Sequence, residues 1–389
     1  MQIKIPDYVR ALQPYKPGNQ KKKANLKANV KQIFSLASNE NPLPTSVHVR
    51  DAIVKATAFL SEYPDPVSTE LVEVLAGKFN KKPEQIVCAH GSESLIAHIV
   101  SAFSDIDTRI LTSEGTFAGI YVNTHKIGRK LNLVSLENYR YDLEGILNRI
   151  NKETRIIYIS NPNNPTGSMV TKDEFDYFIE RVPENIVVVL DEAYSIYAAE
   201  HEGYVEGAEY DDIPNLIVLQ TLSKTHGLAG LRIGYAMGPK PLIDTLYKVK
   251  YPFEPSLIAQ KAAVAALKDD SFITETLRLN DISLKMMMFA FDRIGIKYVK
   301  PNANFILAVL PGKSFVEKFV AESLNYGIAI RNCGPFGLPD CVRISSGTEE
   351  QTEYAIDVFE YAYTKLLNEE DNSDFNISSN YSNTPAMIK

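Results

Sequence analysis

A serine, a lysine and an arginine lie together in a short segment of small residues. Ser223 and Lys224 follow the apolar run at residues 216–219, and Arg232 lies eight positions after the lysine. A lysine amine can form an imine with an aldehyde cofactor, while a hydroxyl and a guanidinium can hold an anionic phosphate. A lysine in a turn is more often a solvated surface charge. The other motifs of the chain must therefore decide whether this segment carries a covalent cofactor.

Two loops that follow apolar runs carry polar groups suited to the same cofactor. Ser92 and Glu93 come after a glycine at the start of a predicted helix, where free backbone N–H groups can bind a phosphate. The octet SNPNNPTG at residues 160–167 has two prolines and a glycine that fix the loop, so that Asn164 can present its amide. The first loop alone is a weak signal, whereas the whole octet is far more specific.

A carboxylate ends one of the most apolar segments of the chain. Asp191 directly follows the apolar run at residues 186–190. Burial of a carboxylate is costly unless it meets a cation, and a protonated pyridine nitrogen is such a cation. Tyr194 can then donate a hydrogen bond to the phenolic oxygen of the same ring. Taken alone, Asp191 fits a helix cap as well as a cofactor contact.

The elements that must position these groups alternate along the chain. Short apolar runs followed by helical patterns predict a mostly parallel α/β sheet with helices on both faces. Such a sheet binds its ligands beyond the carboxyl ends of the strands. The predicted strands are 86–89, 109–112, 131–134, 156–159, 186–190 and 216–220, and the predicted helices are 46–60, 68–79, 95–103 and 172–181.

A second, smaller α+β unit is predicted in the C-terminal part. A helix-rich stretch at 256–295 precedes predicted strands at 305–309, 327–330 and 341–345 and a helix at 350–367. The predicted divisions are an N-terminal arm that forms part of the small domain (1–44), a large domain (45–270), the small domain (271–368) and a tail (369–389). The tail is rich in Asn, Ser, Asp and Glu, a composition typical of disorder.

Composition excludes several classes of protein. The 389 residues carry a net charge of −7, which argues against a nucleic-acid-binding surface. The three cysteines have no paired spacing, so neither zinc nor a disulfide framework is expected, and a reducing compartment fits. No apolar stretch approaches the roughly 20 residues of a membrane helix, and no signal peptide is visible. The sequence therefore predicts a cytoplasmic protein without a metal site or membrane partner.

The motifs together resemble those of a known family. They follow the order of the fold-type-I aminotransferases that depend on pyridoxal 5′-phosphate (PLP), and the chain is most similar to the histidinol-phosphate aminotransferase family. The resemblance spans roughly residues 8–365. It implies a three-layer fold with a seven-stranded, mostly parallel sheet, and a homodimer with shared active sites. The matching segments are LQPYKPG at 12–18, LASNENP at 36–42, YPD at 63–65, the octet, DEAY at 191–194, Ser223-Lys224 with Arg232, and CVRIS at 341–345.

The resemblance also implies a role for each matched residue. Lys224 would form the imine with PLP and move the proton between substrate and cofactor, and Asp191 would pair with the pyridinium nitrogen, with Tyr194 as the third catalytic residue. The other implied cofactor contacts are Asn164 and Tyr194 at the ring oxygen, Phe117 stacked on the ring, Ser92, Glu93, Ser223 and Arg232 at the phosphate, and the partner subunit's Tyr63 at the same phosphate. The implied substrate contacts are Tyr15, Asn41, Asn164, Arg331 and Arg343.

The predicted reaction is transamination between histidinol phosphate and 2-oxoglutarate, giving imidazole acetol phosphate and glutamate in histidine biosynthesis. The small-molecule partners are thus an amino donor and an oxo-acid acceptor. Residues 332–339 resemble a loop of threonine-phosphate decarboxylases as much as that of the aminotransferases. A PLP decarboxylase of that type, or an arginine-type oxidase, is therefore the alternative. A non-catalytic PLP-sensing or partner-binding module is a different class; such regulators usually carry a fused DNA-binding unit, and none is visible in the sequence. His226 fits either a core histidine or a cofactor contact.

Overall fold

The computed structural model describes residues 3–12, 14, 26–27 and 30–368. Tyr15 and the predicted tail at 369–389 lie outside the described residues. The helices are α1 Asp7–Arg10, α2 Val47–Ala56, α3 Thr69–Phe79, α4 Ser92–Phe103, α5 Ala118–His125, α6 Leu143–Arg149, α7 Lys172–Ile179, α8 Ser195–Ala198, α9 Lys240–Val249, α10 Leu257–Ala266, α11 Asp270–Ile294, α12 Lys313–Asn325 and α13 Glu349–Asn368. The strands are β1 Phe34–Ser35, β2 Ile86–Ala89, β3 Arg109–Ser113, β4 Lys130–Val134, β5 Thr154–Ser160, β6 Val187–Asp191, β7 Leu216–Thr221, β8 Gly234–Met237, β9 Lys297–Val299, β10 Phe305–Val309, β11 Ile328–Ala329, β12 Arg331–Asn332 and β13 Cys341–Ser345.

The central sheet has seven strands in the order β2-β8-β7-β6-β5-β3-β4. β8 runs antiparallel to both of its neighbours, β2 and β7, and all other neighbouring strands are parallel. The predicted mostly parallel seven-stranded sheet is confirmed. Because β4 to β7 are parallel to β3, the carboxyl ends of β5, β6 and β7 meet at one edge, where a ligand site is expected.

The helices cover both faces of this sheet. Along β6, Val188 and Leu190 belong to one hydrophobic layer, while Val187 and Val189 belong to the opposite layer. Since successive side chains of a strand point to opposite faces, a strand buried on both sides needs an unbroken apolar run. This requirement explains why the apolar runs of the sequence identified the inner strands.

A second sheet has four antiparallel strands in the order β12-β13-β10-β9. It packs with α11, α12 and α13 around its own hydrophobic core. The N-terminal β1 pairs with β11 in a separate two-stranded sheet, so β1 contacts this smaller unit. The smaller α+β unit is thus confirmed, whereas the domain boundaries at 44/45 and 270/271 stay predictions.

Several elements differ from the sequence-based expectation. Only Ile328–Ala329 of the predicted strand at 327–330 forms a strand, β11, and the adjoining β12 at Arg331–Asn332 belongs to a different sheet. The helix-rich stretch divides into α10 and α11 where Asp269 caps the second helix by accepting a hydrogen bond from the N–H of Phe272 at 3.1 Å. Even α11, with 25 residues, carries charged side chains along its length. Among the described residues, no helix combines the length and apolar character needed to cross a bilayer.

Candidate active site

A cavity with about 520 Å³ of open space lies at the carboxyl ends of β5, β6 and β7. Apart from Tyr63, every residue predicted to touch the cofactor lines it. Ser160, Ala193 and Thr221, which the sequence analysis did not single out, also line it. The lining residues are Ser92, Glu93, Phe117, Ser160, Asn164, Asp191, Ala193, Tyr194, Thr221, Ser223, Lys224 and Arg232.

Lys224 lies three residues after the end of β7 and points into this cavity. Its Nζ donates to the backbone oxygen of Ser38 at 3.3 Å and lies 5.8 Å from the ring centroid of Tyr194. Burial, reinforced by the guanidinium of Arg343, lowers the pKa of Lys224 to about 8. A lysine with a lowered pKa is neutral, and therefore nucleophilic, in a larger fraction of molecules near neutral pH.

The same burial predicts how stability depends on pH without cofactor. Folding lowers the pKa of Lys224 from its ordinary 10.5 to about 8. Between these values the unfolded chain binds more protons, so the free energy of unfolding rises with pH. Between these two pKa values, the free energy of unfolding of the cofactor-free wild type should rise by up to about 3 kcal/mol relative to that of cofactor-free Lys224→Met. Urea unfolding of both proteins checks this, and a difference constant with pH would contradict it.

Asp191 ends β6 and is buried. Its Oδ2 accepts a hydrogen bond from the hydroxyl of Tyr158 at 2.6 Å, and its Oδ1 accepts one from the N–H of Ala193 at 3.1 Å. Burial raises the pKa of Asp191 to about 6 in spite of these two donors. A cation bound in the cavity would offset the cost of keeping this carboxylate ionised. Asp191 therefore fits a protonated ring nitrogen.

Tyr158 is a site residue that the sequence analysis missed. It lies on β5, opposite Val189 of the neighbouring strand, and its ring is fully buried. The only local signal is a hydroxyl-bearing ring within an otherwise aliphatic strand, Ile156 to Ile159. Its contact with Asp191 depends on the pairing of β5 with β6, which the sequence pattern did not specify.

The N-terminus of α4 forms one wall of the cavity. Gly91, with φ +82°, precedes Ser92, and no side chain of the described residues caps this helix start. The glycine is needed here, because a Cβ at this position would lie 2.8 Å from Nη2 of Arg232. Gly234 allows a second close approach, because a Cβ there would lie 2.6 Å from the backbone nitrogen of Ser92. The helix start and the guanidinium thus converge on one small volume.

This arrangement suits a phosphate. Nη1 of Arg232 lies 3.4 Å from Oγ of Ser223 and donates to the backbone oxygen of Ala229 at 3.1 Å. A guanidinium, a hydroxyl and unpaired helix N–H groups are the donors that bind phosphate in proteins. Ser92, Glu93, Ser223 and Arg232 therefore fit the phosphate contacts expected for PLP.

Tyr194 is placed to donate a hydrogen bond into the cavity. Its hydroxyl oxygen accepts from Nδ2 of Asn39 at 2.8 Å and from Nδ2 of Asn164 at 3.3 Å. Because both neighbours donate, the hydroxyl proton is free to point toward a ring oxygen. Burial raises the pKa of Tyr194, which keeps the hydroxyl protonated. Asn39 lies in a quoted motif, but the sequence analysis gave it no role.

Two arginines of the small sheet lie opposite each other. Arg331 on β12 pairs in register with Arg343 on β13. The buried Arg343 donates to the backbone oxygen of Ala37 at 2.8 Å and to Oδ1 of Asn164 at 2.5 Å. Arg331 is partly exposed, and its guanidinium lies 5.4 Å from the ring centroid of Phe336. Like charges at facing positions suit a shared anionic ligand.

The remaining predicted residues lie around the cavity or outside it. Asn41 donates to the backbone oxygens of Lys224 and Thr225 at 3.4 and 3.0 Å, so its amide holds the lysine segment, and its contact with substrate stays a prediction. His226 is buried, which lowers its pKa to about 3, and the cavity lining does not include it. Its burial and its position outside the lining favour the interpretation of His226 as a core histidine.

Tyr63 is 81% exposed and stacks on Phe253 with ring centroids 4.3 Å apart.

Comparison with known proteins identifies the family of this chain. Residues 31–359 match the family model of aminotransferase class I and II. The chain is 38% identical to histidinol-phosphate aminotransferase of Caldicellulosiruptor saccharolyticus over 344 residues, which cover 88% of this chain and 95% of the relative. It is 36% identical to the histidinol-phosphate aminotransferase of Geobacillus sp. over 371 residues, which cover 94% and 99%.

A solved structure shows the same fold with the expected cofactor. Histidinol-phosphate aminotransferase from Sinorhizobium meliloti, in complex with pyridoxal 5′-phosphate, superposes with a TM-score of 0.86 and 25% identity. The match covers 94% of this chain and 99% of the solved one. The expected fold type, cofactor and resemblance are confirmed. The chain belongs to the class I and II aminotransferases and is a PLP-dependent transaminase.

Proposed function

We propose that this transaminase moves the amino group of histidinol phosphate to 2-oxoglutarate, giving imidazole acetol phosphate and glutamate. The observation that carries this proposal is the facing pair Arg331 and Arg343. One guanidinium suits the phosphate of the amino donor, and the same pair of arginines suits the carboxylates of the oxo-acid acceptor. The similarity to histidinol-phosphate aminotransferases supports this choice of substrate. Nothing in the comparisons favours the decarboxylase or the oxidase.

Each residue of the cavity has its own role in the proposed reaction. When bound, PLP supplies an aldehyde that takes up the amino group and a protonated ring that stabilises negative charge on the substrate carbon. Lys224 accepts the proton from that carbon and returns it, since its amine is the buried base with the lowered pKa. Asp191 keeps a proton on the ring nitrogen, and Tyr194 donates to the ring oxygen. Arg232 and the start of α4 hold the phosphate in place.

The two substrate arginines have different tasks in this proposal. Arg343 is held by Asn164 and by the backbone of Ala37, so its position is fixed beside the groups that surround the ring. Arg331 is partly exposed and lies over Phe336. The fixed arginine suits the acidic group of every substrate, and the outer one suits the phosphate of histidinol phosphate.

Replacing Arg331 with alanine should test this division. We expect kcat/KM for histidinol phosphate to fall about 10–100-fold, mainly through KM, because a charge-assisted contact is lost. The value for unphosphorylated histidinol should change little. Steady-state kinetics with both donors measures this, with the exposed Arg181→Ala as the control. An equal loss for both donors would contradict a phosphate contact.

The reaction itself is tested by the cofactor spectrum. Histidinol phosphate added alone to the purified holoenzyme should convert the cofactor to its amine form, and 2-oxoglutarate should then restore the aldehyde form. Glutamate and imidazole acetol phosphate should accumulate when both substrates are present. Release of carbon dioxide or peroxide without this restoration would contradict transamination of histidinol phosphate and favour the decarboxylase or the oxidase.

We also propose a homodimer in which the partner subunit's Tyr63 completes each phosphate site. Tyr63 is 81% exposed, outside the cavity of its own subunit. Apolar side chains of the same region are also exposed, namely Val54, Phe59, Leu60 and Val67. Exposed apolar surface of this kind is typical of an interface between subunits. Sedimentation velocity should therefore give twice the mass of one chain, and a monomer would contradict the proposal.

Two further inferences concern the cellular location and the division into domains. We infer that the protein acts in the cytoplasm, since its three cysteines are buried free thiols, which fits a reducing compartment. We also infer that residues 45–270 form the large domain, that 271–368 form the small domain, and that the N-terminal arm at 1–44 contributes part of the small domain. The separate hydrophobic cores of the two sheets support this division.

A further inference from the structure

Glu254 is a buried carboxylate outside the cavity that contacts the phosphate-binding turn. Its Oε2 accepts a hydrogen bond from the N–H of His90 at 3.3 Å and from the hydroxyl of Ser94 at 3.1 Å. Its Oε1 lies 2.5 Å from Nε2 of His98 on the same helix, α4. These three contacts flank Ser92 and Glu93, the residues at the start of α4 that line the cavity.

The same carboxylate holds the segment that supports Tyr63. Oε1 of Glu254 accepts from the N–H of Tyr251 at 3.2 Å. Lys250 donates to the backbone oxygen of Pro66 at 2.9 Å and also contacts the backbone oxygen of Glu254. Phe253, the residue before Glu254, stacks on the ring of Tyr63. The Glu254 side chain therefore connects the turn at Gly91 with residues 250–253, and Lys250 and Phe253 of this stretch contact the segment of Tyr63.

Glu254 is ionised in this position. Burial alone would raise its pKa, but the hydrogen bonds from His98 and Ser94 outweigh burial and hold the pKa of Glu254 below its usual value. An ionised carboxylate forms stronger hydrogen bonds than a neutral group, and all four of its close neighbours can donate. A buried charge with several donors fixes the relative position of the segments that supply them.

We propose that Glu254 is a positioning residue that couples the phosphate turn of its own subunit to the Tyr63 segment that serves the partner subunit. This inference rests on the proposed PLP-binding homodimer. In each subunit, a phosphate bound at the start of α4 orders His90 and Ser94, which hold Glu254. Glu254 in turn orders residues 250–253, which contact Tyr63. The hydroxyl of Tyr63 reaches the cofactor site of the other subunit. Cofactor binding at one site therefore favours the contact that completes the other.

The test is a double-mutant cycle on PLP affinity, measured by equilibrium binding to the cofactor-free dimer. Glu254→Gln keeps the shape but removes the charge, and we expect it to raise the Kd for PLP about tenfold. Tyr63→Phe removes one phosphate donor but keeps the stack on Phe253, and it should have a similar effect. In the double variant the increase should be smaller than the product of the two, because each residue acts through the other.

The controls separate coupling from damage to the fold. Glu73→Gln, on the exposed face of α3, should leave the Kd unchanged. If Glu254→Gln fails to fold by circular dichroism, Ser94→Ala, which removes one donor and leaves the carboxylate, takes its place in the cycle. A Kd within twofold of wild type in a folded variant, or effects that multiply independently, would overturn the inference. The reaction of the wild type with histidinol phosphate tests the proposed function separately.

Discussion

Lys224→Ala should lower kcat/KM for transamination by about 10⁴-fold or more, because it removes both the nucleophile and the base that moves the substrate proton. No other amine of the described residues lines the cavity. The phosphate contacts of Ser223 and Arg232 stay intact, so the variant should still bind PLP. Rapid-mixing spectroscopy with histidinol phosphate would measure the loss of proton transfer in a single turnover.

Two further variants define what the lysine contributes. Lys224→Arg keeps a positive charge but offers no neutral amine at ordinary pH, so its activity should be as low as that of the alanine variant. Lys78→Ala, an exposed lysine on α3, should behave as the wild type. If Lys224→Ala or Lys224→Arg turned over at a rate near that of the wild type, the role assigned to Lys224 would be wrong.

Asp191→Asn should lower kcat/KM about 10²–10³-fold, which is the usual loss when one charged contact to the reacting system is removed. Asparagine keeps the shape and can still accept from Tyr158, but it carries no charge to hold a proton on the ring nitrogen. The absorbance of the bound cofactor should also change, because its ring is protonated in a smaller fraction of molecules. Steady-state kinetics and absorbance titration of the holoenzyme measure both effects.

The neighbouring Glu192 offers a matched control. Its carboxyl accepts from the N–H of Gly207 at 2.7 Å and from Nε2 of Gln220 at 2.9 Å, away from the cavity lining. Burial raises the pKa of Glu192 to about 8, so it is largely neutral at pH 7. Glu192→Gln should therefore change kcat/KM less than about threefold, as expected for a substitution that removes little charge. Equal losses in the two variants would mean that Asp191→Asn damages the fold rather than the cofactor contact.

The inner strands and most residues of the cavity lining could be predicted from the sequence. Asp191 directly follows an apolar run, and Lys224 follows another at a distance of a few residues. A run buried on both faces has a local signature. The order of the motifs then narrowed the chemistry to PLP. These predictions used only information contained in short segments and their succession along the chain.

The elements and residues that the sequence did not predict have weak sequence patterns or depend on contacts between distant segments. β8 has four residues and begins with Gly234, so it offers little apolar periodicity. α5 buries Asn123 and Thr124 alongside Ile120, which obscures its buried face. Tyr158 and Glu254 gain their roles through contacts made only when the chain is folded. Such roles follow from strand pairing and side-chain packing, which a single sequence does not display.

The antiparallel β8 also sets when the protein can first bind its cofactor. Gly234 pairs with Ala89 of β2 and with Thr221 of β7, so β8 joins the helix start at Ser92 to the segment of Ser223. β2 precedes β8 by well over a hundred residues, and such remote pairings form slowly. A chain still emerging from the ribosome cannot assemble the phosphate pocket before β8 is inserted. Specific binding of PLP at this site therefore requires β8 in the central sheet, and a nascent chain that stops before Gly234 should lack that specific binding.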